Sequence, residues 1–220
     1  MQDDDAPIPE PPQRLRLGYH QQLDELGAKV TRLFALVNEG VAAANEALTA
    51  DDQEALAAVR AGEATIDELM VQLEVDIERI LLLQSPVAGE LRWILTLIRI
   101  VPELERSGDL AVHIAKRAGT GLMADLSPVA RGQLARMGAV AIQLWRSAAD
   151  AFADRDPDAG RRLEAEDDEL DDLHTALTTE LLGSGLTPAA AADATLVARF
   201  YERLGDHAVH ITTRISKAVA

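Results

Sequence analysis

The sequence predicts an all-α fold of six long helices, arranged as two tandem, similar three-helix bundles. Three observations carry that expectation. Apolar residues make up 48% of the 220-residue chain while aromatics are only 3%, and Ala, Leu, Glu, Asp and Arg dominate, a mixture that favours helix over sheet. The segments between turn signals have helical rather than alternating periodicity, and nothing reads as a strand run. The chain also writes one phrase twice: ERSGDLAVHI begins at Glu105 and ERLGDHAVHI at Glu202, with eight of ten letters agreeing 97 positions apart. An internal repeat of that kind is the signature of a duplicated supersecondary unit.

The elements follow in order. MQDDDAPIPEPPQ, residues 1–13, is acidic and Pro-rich, which predicts a disordered tail and is the reverse of a secretion signal. A first helix is expected near 14–46. Thr49, with Asp52 three positions on, marks the start of a second, expected over 51–84. Ser85-Pro86, Ser127-Pro128, Asp156-Pro157 and Thr187-Pro188 each pair an N-cap residue with a proline suited to the first helical position. They predict helices over 87–118, 128–154, 157–182 and 188–218. Gly119, Gly121, Gly183 and Gly185 mark stops, and LLGSGLTP reads as a loop. Short connections make sequential neighbours antiparallel. The expected division is 1–13 tail, 14–121 first bundle and 122–220 second bundle. The second helices of the halves also match, EATIDEL from Glu63 against DDELDDL from Asp167. Pro102 falls inside the third helix, where it is expected to kink or locally open it.

Charge and composition narrow the function. The formal net charge of -16 makes nucleic acid and anionic lipid poor electrostatic partners. Cations and basic protein patches suit it better. With no cysteine, disulfides and thiolate metal sites are excluded. The most apolar stretch, ILLLQSPVAGELRWILTLIRIV, is broken by Ser85-Pro86, Glu90 and Arg92, so no membrane span is expected. A cytoplasmic location follows as the expectation.

One acidic pattern recurs four times, an acid followed four residues later by Asp: Glu63/Asp67, Glu105/Asp109, Asp167/Asp171 and Glu202/Asp206. Positions i and i+4 share a helix face, where two like charges cost a few tenths of a kcal/mol. In an antiparallel hairpin, Glu63 with Asp109 and Asp67 with Glu105 are both centred on Pro86. The second-half pairs are both centred between Leu186 and Thr187. Each hairpin therefore brings two acidic pairs to one height. In the first half, Glu105 stands in the column Leu91, Ile98, Val112, and Glu63 in the column Leu56, Met70, Ile77, so both are expected to face inward. The second-half columns are less clean and carry no claim of burial. Four carboxylates on a partly buried seam must be protonated, paired with Arg or bound to a cation. All-oxygen donors suit Mg, Mn, Ca or ferric iron, with Zn also admissible. The alternative is a solvated acidic face without an ion. Gly108 and Gly205 serve either as packing notches or as room for an ion. His113 and His210, four residues past each Asp, are either added ligands or donors or ordinary seam residues. Arg106 and Arg203, one residue past each Glu, point to another face.

The phrases ELERSGDLAVHIAKR and FYERLGDHAVHI, with SPVAGELRWI before the first, resemble the PhoU family of phosphate-uptake regulators. The resemblance covers the chain beyond the tail. It implies two three-helix bundles and a non-enzymatic, cytoplasmic negative regulator that couples a phosphate ABC transporter ATPase to a sensor histidine kinase. It also implies a homodimer, and metal ions (Fe, Zn, Mn or Mg) at the eight acidic positions above. The family's usual Asn is replaced here by His113 and His210. The competing functions are a di-iron carboxylate or ferritin-like enzyme and a metal-free helical scaffold. The enzyme design needs two Glu-x-x-His motifs on facing helices. The chain has none, and its nearest approach is Asp171-x-x-His174.

Overall fold

The computed structural model describes residues 13–50 and 52–220. Apart from Gln13, the expected tail lies outside the described residues. Six long helices are present: α1 (Gln13–Ala50), α2 (Gln53–Gln84), α3 (Ala88–Ala118), α5 (Pro128–Asp154), α6 (Ala159–Leu182) and α7 (Pro188–Val219). A single turn, α4 (Leu122–Asp125), sits in the loop between the halves. Among the described residues there is no strand, and no helix is long and apolar enough to cross a membrane.

Helices α1, α2 and α3 pack on one another, as do α5, α6 and α7. The halves are joined because α1 also packs on α5 and α3 on α7. The result is a closed ring, α1–α3–α7–α5, with α2 outside the first side and α6 outside the opposite one. One continuous apolar core runs through both halves. Its centre is aromatic. Trp145 of α5 lies 6.3 Å from Phe34 of α1, Phe34 lies 5.1 Å from Phe152, and Phe152 stacks at 5.4 Å on Trp93 of α3. Four of the seven Trp, Tyr and Phe residues thus concentrate at the junction of the halves. Such rings are large apolar units with about 0.5–1.5 kcal/mol per pair beyond burial.

The caps at Ser127 and Thr187 are as expected: each side chain accepts from the N–H three residues on, and proline follows. Asp52 caps α2, but Thr49 does not start it. α1 runs on to Ala50, and Thr49 Oγ1 donates back to the Asn45 carbonyl. The other two proline signals are corrected. Ser85 adopts a left-handed conformation (φ 45°) that closes α2, Pro86 is buried, and α3 starts after Val87. Asp156 instead accepts from the N–H of Asp158, and α6 starts at Ala159. Pro102 does not open α3, which is helical on both sides of it. The carbonyl that loses its helical donor belongs to Ile98, a residue on the exposed side of α3.

Candidate functional site

The doubled phrase uses three faces of its helix. One face carries the acidic pair toward α2 or α6, a second packs into the ring, and a third meets its own repeat across the α3–α7 seam. That seam is antiparallel. Ser107 Oγ donates to the Glu103 carbonyl at 2.7 Å, which leaves it to accept from His207 Nδ1 at 2.9 Å. Arg214 reaches Glu103 at 3.2 Å and Arg117 reaches Asp193 at 3.3 Å. Burial, with Arg203, His210 and Arg106 around it, holds His207 down at about 4, so it is neutral near pH 7. Sequence reasoning missed Ser107 and His207 because their contact joins residues 100 positions apart. His113 also belongs to this seam. Its ring stacks on Phe200 at 5.5 Å, on the side of α3 turned toward α7.

The acidic sites sit between each outer helix and the ring, and they are unequal. In the first half, Glu105 is half-buried, and burial, then Asp109 and Asp67, raise its proton affinity while Arg106 opposes them. The structure therefore brings Asp67, Glu105 and Asp109 into electrostatic reach of one another. Glu63, also half-buried, is not among the groups acting on Glu105. The column read as inward is a boundary column: Val112 is buried, but Ile98 is exposed.

The second half, where the sequence carried no claim of burial, holds the deeper site. Asp167 lies over the backbone of Gly205, so close that a methyl group on that glycine would sit 2.1 Å from Asp167 Oδ1. Burial, then Asp171, Asp206, Glu202 and Asp168, push Asp167 up to about 7. Glu202 is raised by burial and Asp206, with Arg199 and His174 pulling the other way. Asp167 Oδ1 and Glu202 Oε2 are buried without a hydrogen-bond partner. Arg199 forms an ion pair with Glu202, a counter-charge three residues upstream that the sequence reading passed over. All four predicted second-half acids thus share one electrostatic neighbourhood, with His174 at its edge.

The glycines have the notch role. Gly108 admits Ile66, whose Cδ1 would lie 2.9 Å from an added methyl, and Gly205 admits Asp167 and Leu170. The donor chemistry of the second half fits a hard cation: its oxygens are carboxylate, and two are buried and unpartnered. In the first half none of the four acids is left so. Among the described residues, no three His, Asp or Glu side chains are gathered closely enough to cage an ion as they stand.

The chain matches the PhoU domain model twice, over residues 30–118 and 134–215. It is 36% identical over 204 residues to the phosphate-specific transport system accessory protein PhoU homolog 2 of Mycobacterium tuberculosis, covering 91% of this chain and 96% of that one. It is 32% identical over 197 residues to the PhoU homolog of Caulobacter vibrioides, covering 88% and 86%. Among solved structures, PhoU from Pseudomonas aeruginosa superposes with a TM-score of 0.84 at 25% identity, covering 91% of this chain and 98% of that one. The phosphate transport system regulatory protein PhoU from Streptococcus pneumoniae, at 23% identity and a TM-score of 0.82, covers 91% and 96% and shares the fold.

Proposed function

The chain belongs to the PhoU family, and we propose that it is a cytoplasmic negative regulator of phosphate uptake and of the phosphate-starvation response. It acts by contact with the ATPase subunit of a phosphate ABC transporter and with a sensor histidine kinase, not as an enzyme. The observation that supports this most directly is the likeness, over 91% of the chain, to proteins named as phosphate-specific transport system accessory proteins. In cells without a second copy of such a gene, deletion should leave starvation genes switched on in rich phosphate. Normal shut-off in that strain overturns the reading.

Divalent or ferric metal ions, as Fe, Zn, Mn or Mg, belong to the same proposal. Asp167, Asp171, Glu202 and Asp206 would hold one site, and Glu63, Asp67, Glu105 and Asp109 the other. A bound cation supplies charge neutralisation between an outer helix and the ring. The buried, unpartnered oxygens of Asp167 and Glu202 support the second site.

Asp167→Asn tests this with a defined sign. The carboxyl of Asp167 titrates near 7 in the folded chain against an ordinary 3.8. The folded state then holds a proton more tightly than the unfolded chain. In ion-free protein its contribution is present below pH 4 and is lost as pH rises through 7. Removing the charge should stabilise ion-free protein above pH 7 by about 1–2 kcal/mol, allowing for solvent screening, or roughly 3–6 °C in Tm. The gain should vanish at pH 4. The same variant should retain less metal by elemental analysis. Equal metal content and an unchanged melting profile would sink the second site.

A further inference from the structure

The open face of the α3–α7 seam reverses the sign of the chain. Apart from the single turn α4, α3 packs on α1, α2 and α7, and α7 packs on α3, α5 and α6, so each keeps one side free. Together these two helices carry nine Lys and Arg against seven Asp and Glu, whereas α2 and α6 together carry four against fifteen. All seven acids of the pair are engaged. Glu90 accepts from Tyr19 of α1, Glu103 pairs with Arg214 and Asp193 with Arg117. The other four, Glu105, Asp109, Glu202 and Asp206, belong to the acidic sites beside α2 and α6.

What remains on the open side is basic and evenly spaced. Arg92, Arg99, Arg106 and His113 recur every seven residues along α3, and Arg203, His210 and Lys217 along α7, all exposed. Arg106 and His113 are the repeat equivalents of Arg203 and His210, so the duplicated phrase sets both columns. Seven residues are about two turns, which keeps each column on one side of its helix. Both columns lean toward the seam: His113 stacks on Phe200, and Arg106, Arg203 and His210 all act on His207. Among the described residues, Arg92, Arg99, Arg106, Arg203 and Lys217 make no ion pair. Leu95 and Leu196, exposed by 40% and 41%, stand at opposite ends of the face because the two helices run antiparallel.

We propose that this face is a docking groove for one acidic amphipathic helix of a partner protein. The helix lies along the seam, with carboxylates against Arg92, Arg99, Arg106 and Arg203 and apolar side chains against Leu95 and Leu196. The groove between two packed helices is the shape a third one fills. The α3 column spans about 31 Å, the length of roughly 21 helical residues. A helix that repeats its carboxylates every seven residues meets both columns in register. The acidic α2 and α6 on either side confine such a helix to the basic band and repel the wider phosphate array of a nucleic acid. Such a contact gives the regulatory reading a place on the molecule, and rests on that reading only for the existence of a partner.

The probe is a labelled helical peptide of about 21 residues with Glu and Leu at seven-residue spacing, titrated with the full chain by fluorescence anisotropy. It should bind saturably, and more weakly as salt rises. Arg92→Glu with Arg99→Glu should weaken binding at least about tenfold, and Arg203→Gln with Lys217→Gln should weaken it too. Arg131→Glu with Arg146→Glu makes the same charge change as the α3 pair, on exposed positions of α5, and should leave binding unchanged. All six positions are exposed, so helix content should stay constant. No saturable binding, equal losses in the α3 and α5 variants, or equal binding of a single-stranded DNA of matched charge overturns the proposal. Binding that appears only once residues 1–12 are removed assigns the groove to the chain's own acidic N-terminal segment and overturns it as well. In cells where deletion leaves starvation genes on, the α3 variant should fail to restore shut-off and the α5 variant should restore it. Full restoration by both overturns this contact and leaves the regulatory reading standing. Normal shut-off after deletion removes the regulatory reading, while the peptide still decides the groove.

Discussion

Trp145→Ala should cost about 3–5 kcal/mol of stability, the range for deleting a large buried aromatic. Tm should fall by roughly 8–15 °C at this chain length. Trp145 is fully buried at the junction of the halves. It belongs to α5, packs against Phe34 of α1, and its indole N–H donates to the Leu204 carbonyl of α7 at 3.1 Å. One side chain therefore ties three of the four ring helices. Its removal leaves a cavity that neighbours on three helices can close only by moving together, which favours the upper end of that range. Trp145→Phe keeps most of the apolar area and loses the hydrogen bond, so it should cost clearly less. Thermal and denaturant unfolding of both variants measure this. A loss below about 1 kcal/mol for the alanine variant would mean that the junction is not the keystone described above.

The same substitution in the two copies of the repeated phrase should give opposite results. Gly108→Ala meets a single methyl, Ile66 Cδ1, at 2.9 Å, the mobile end of a side chain. The gain in helix propensity, about 1 kcal/mol, should offset the adjustment and leave stability nearly unchanged. Gly205→Ala meets Asp167 Oδ1 at 2.1 Å and Leu170 Cδ2 at 2.7 Å. Two side chains of α6 must shift at once, at an overpacking cost of about 1–3 kcal/mol that exceeds the gain. The second variant should melt lower than the first. It should also turn Asp167 out of its buried position and lose metal with it. Adding Asp167→Ala should recover part of the stability and none of the metal. Equal melting of the two glycine variants would contradict the inequality of the two sites.

That inequality marks where sequence reading stopped. The helices were legible because their 3.6-residue pattern is long and their punctuation frequent. Ser127 and Thr187 were legible as caps because proline and capping residue act within four positions. Ser85 and Asp156 carry the same local signal but serve other ends: one closes the preceding helix, and the other caps a turn upstream of α6. Placing the acidic pairs at one height in each hairpin needed only antiparallel counting, and Glu105 and Asp67, like Asp167 and Asp206, do interact. The relative burial of the two sites was not legible. Asp167 corresponds to Glu63 in the repeat, yet Asp167 has its carboxyl over Gly205 of the facing helix, whereas Gly108 in the first half faces Ile66. Nor could periodicity show that His113 turns to Phe200 across the seam, because no local pattern encodes a contact between residues so far apart in the chain.

The position of α2 and α6 outside the ring has a consequence for motion. Each packs mainly on the two ring helices of its own half, and α6 buries only Ala159, Gly160, Leu163, Leu170, Leu177 and Leu181 along its 24 residues. Local opening follows the elements with the fewest buried apolar contacts. The outer helices are thus the natural hinged leaves, able to swing from the ring without global unfolding, and every acidic site spans one leaf and its frame. A cation held there, as proposed, would work as a latch. On the cation binding proposed above, arrival of the ion would slow the leaf's excursions and its departure would free them, which ties the occupancy of the site to the mobility of a whole helix.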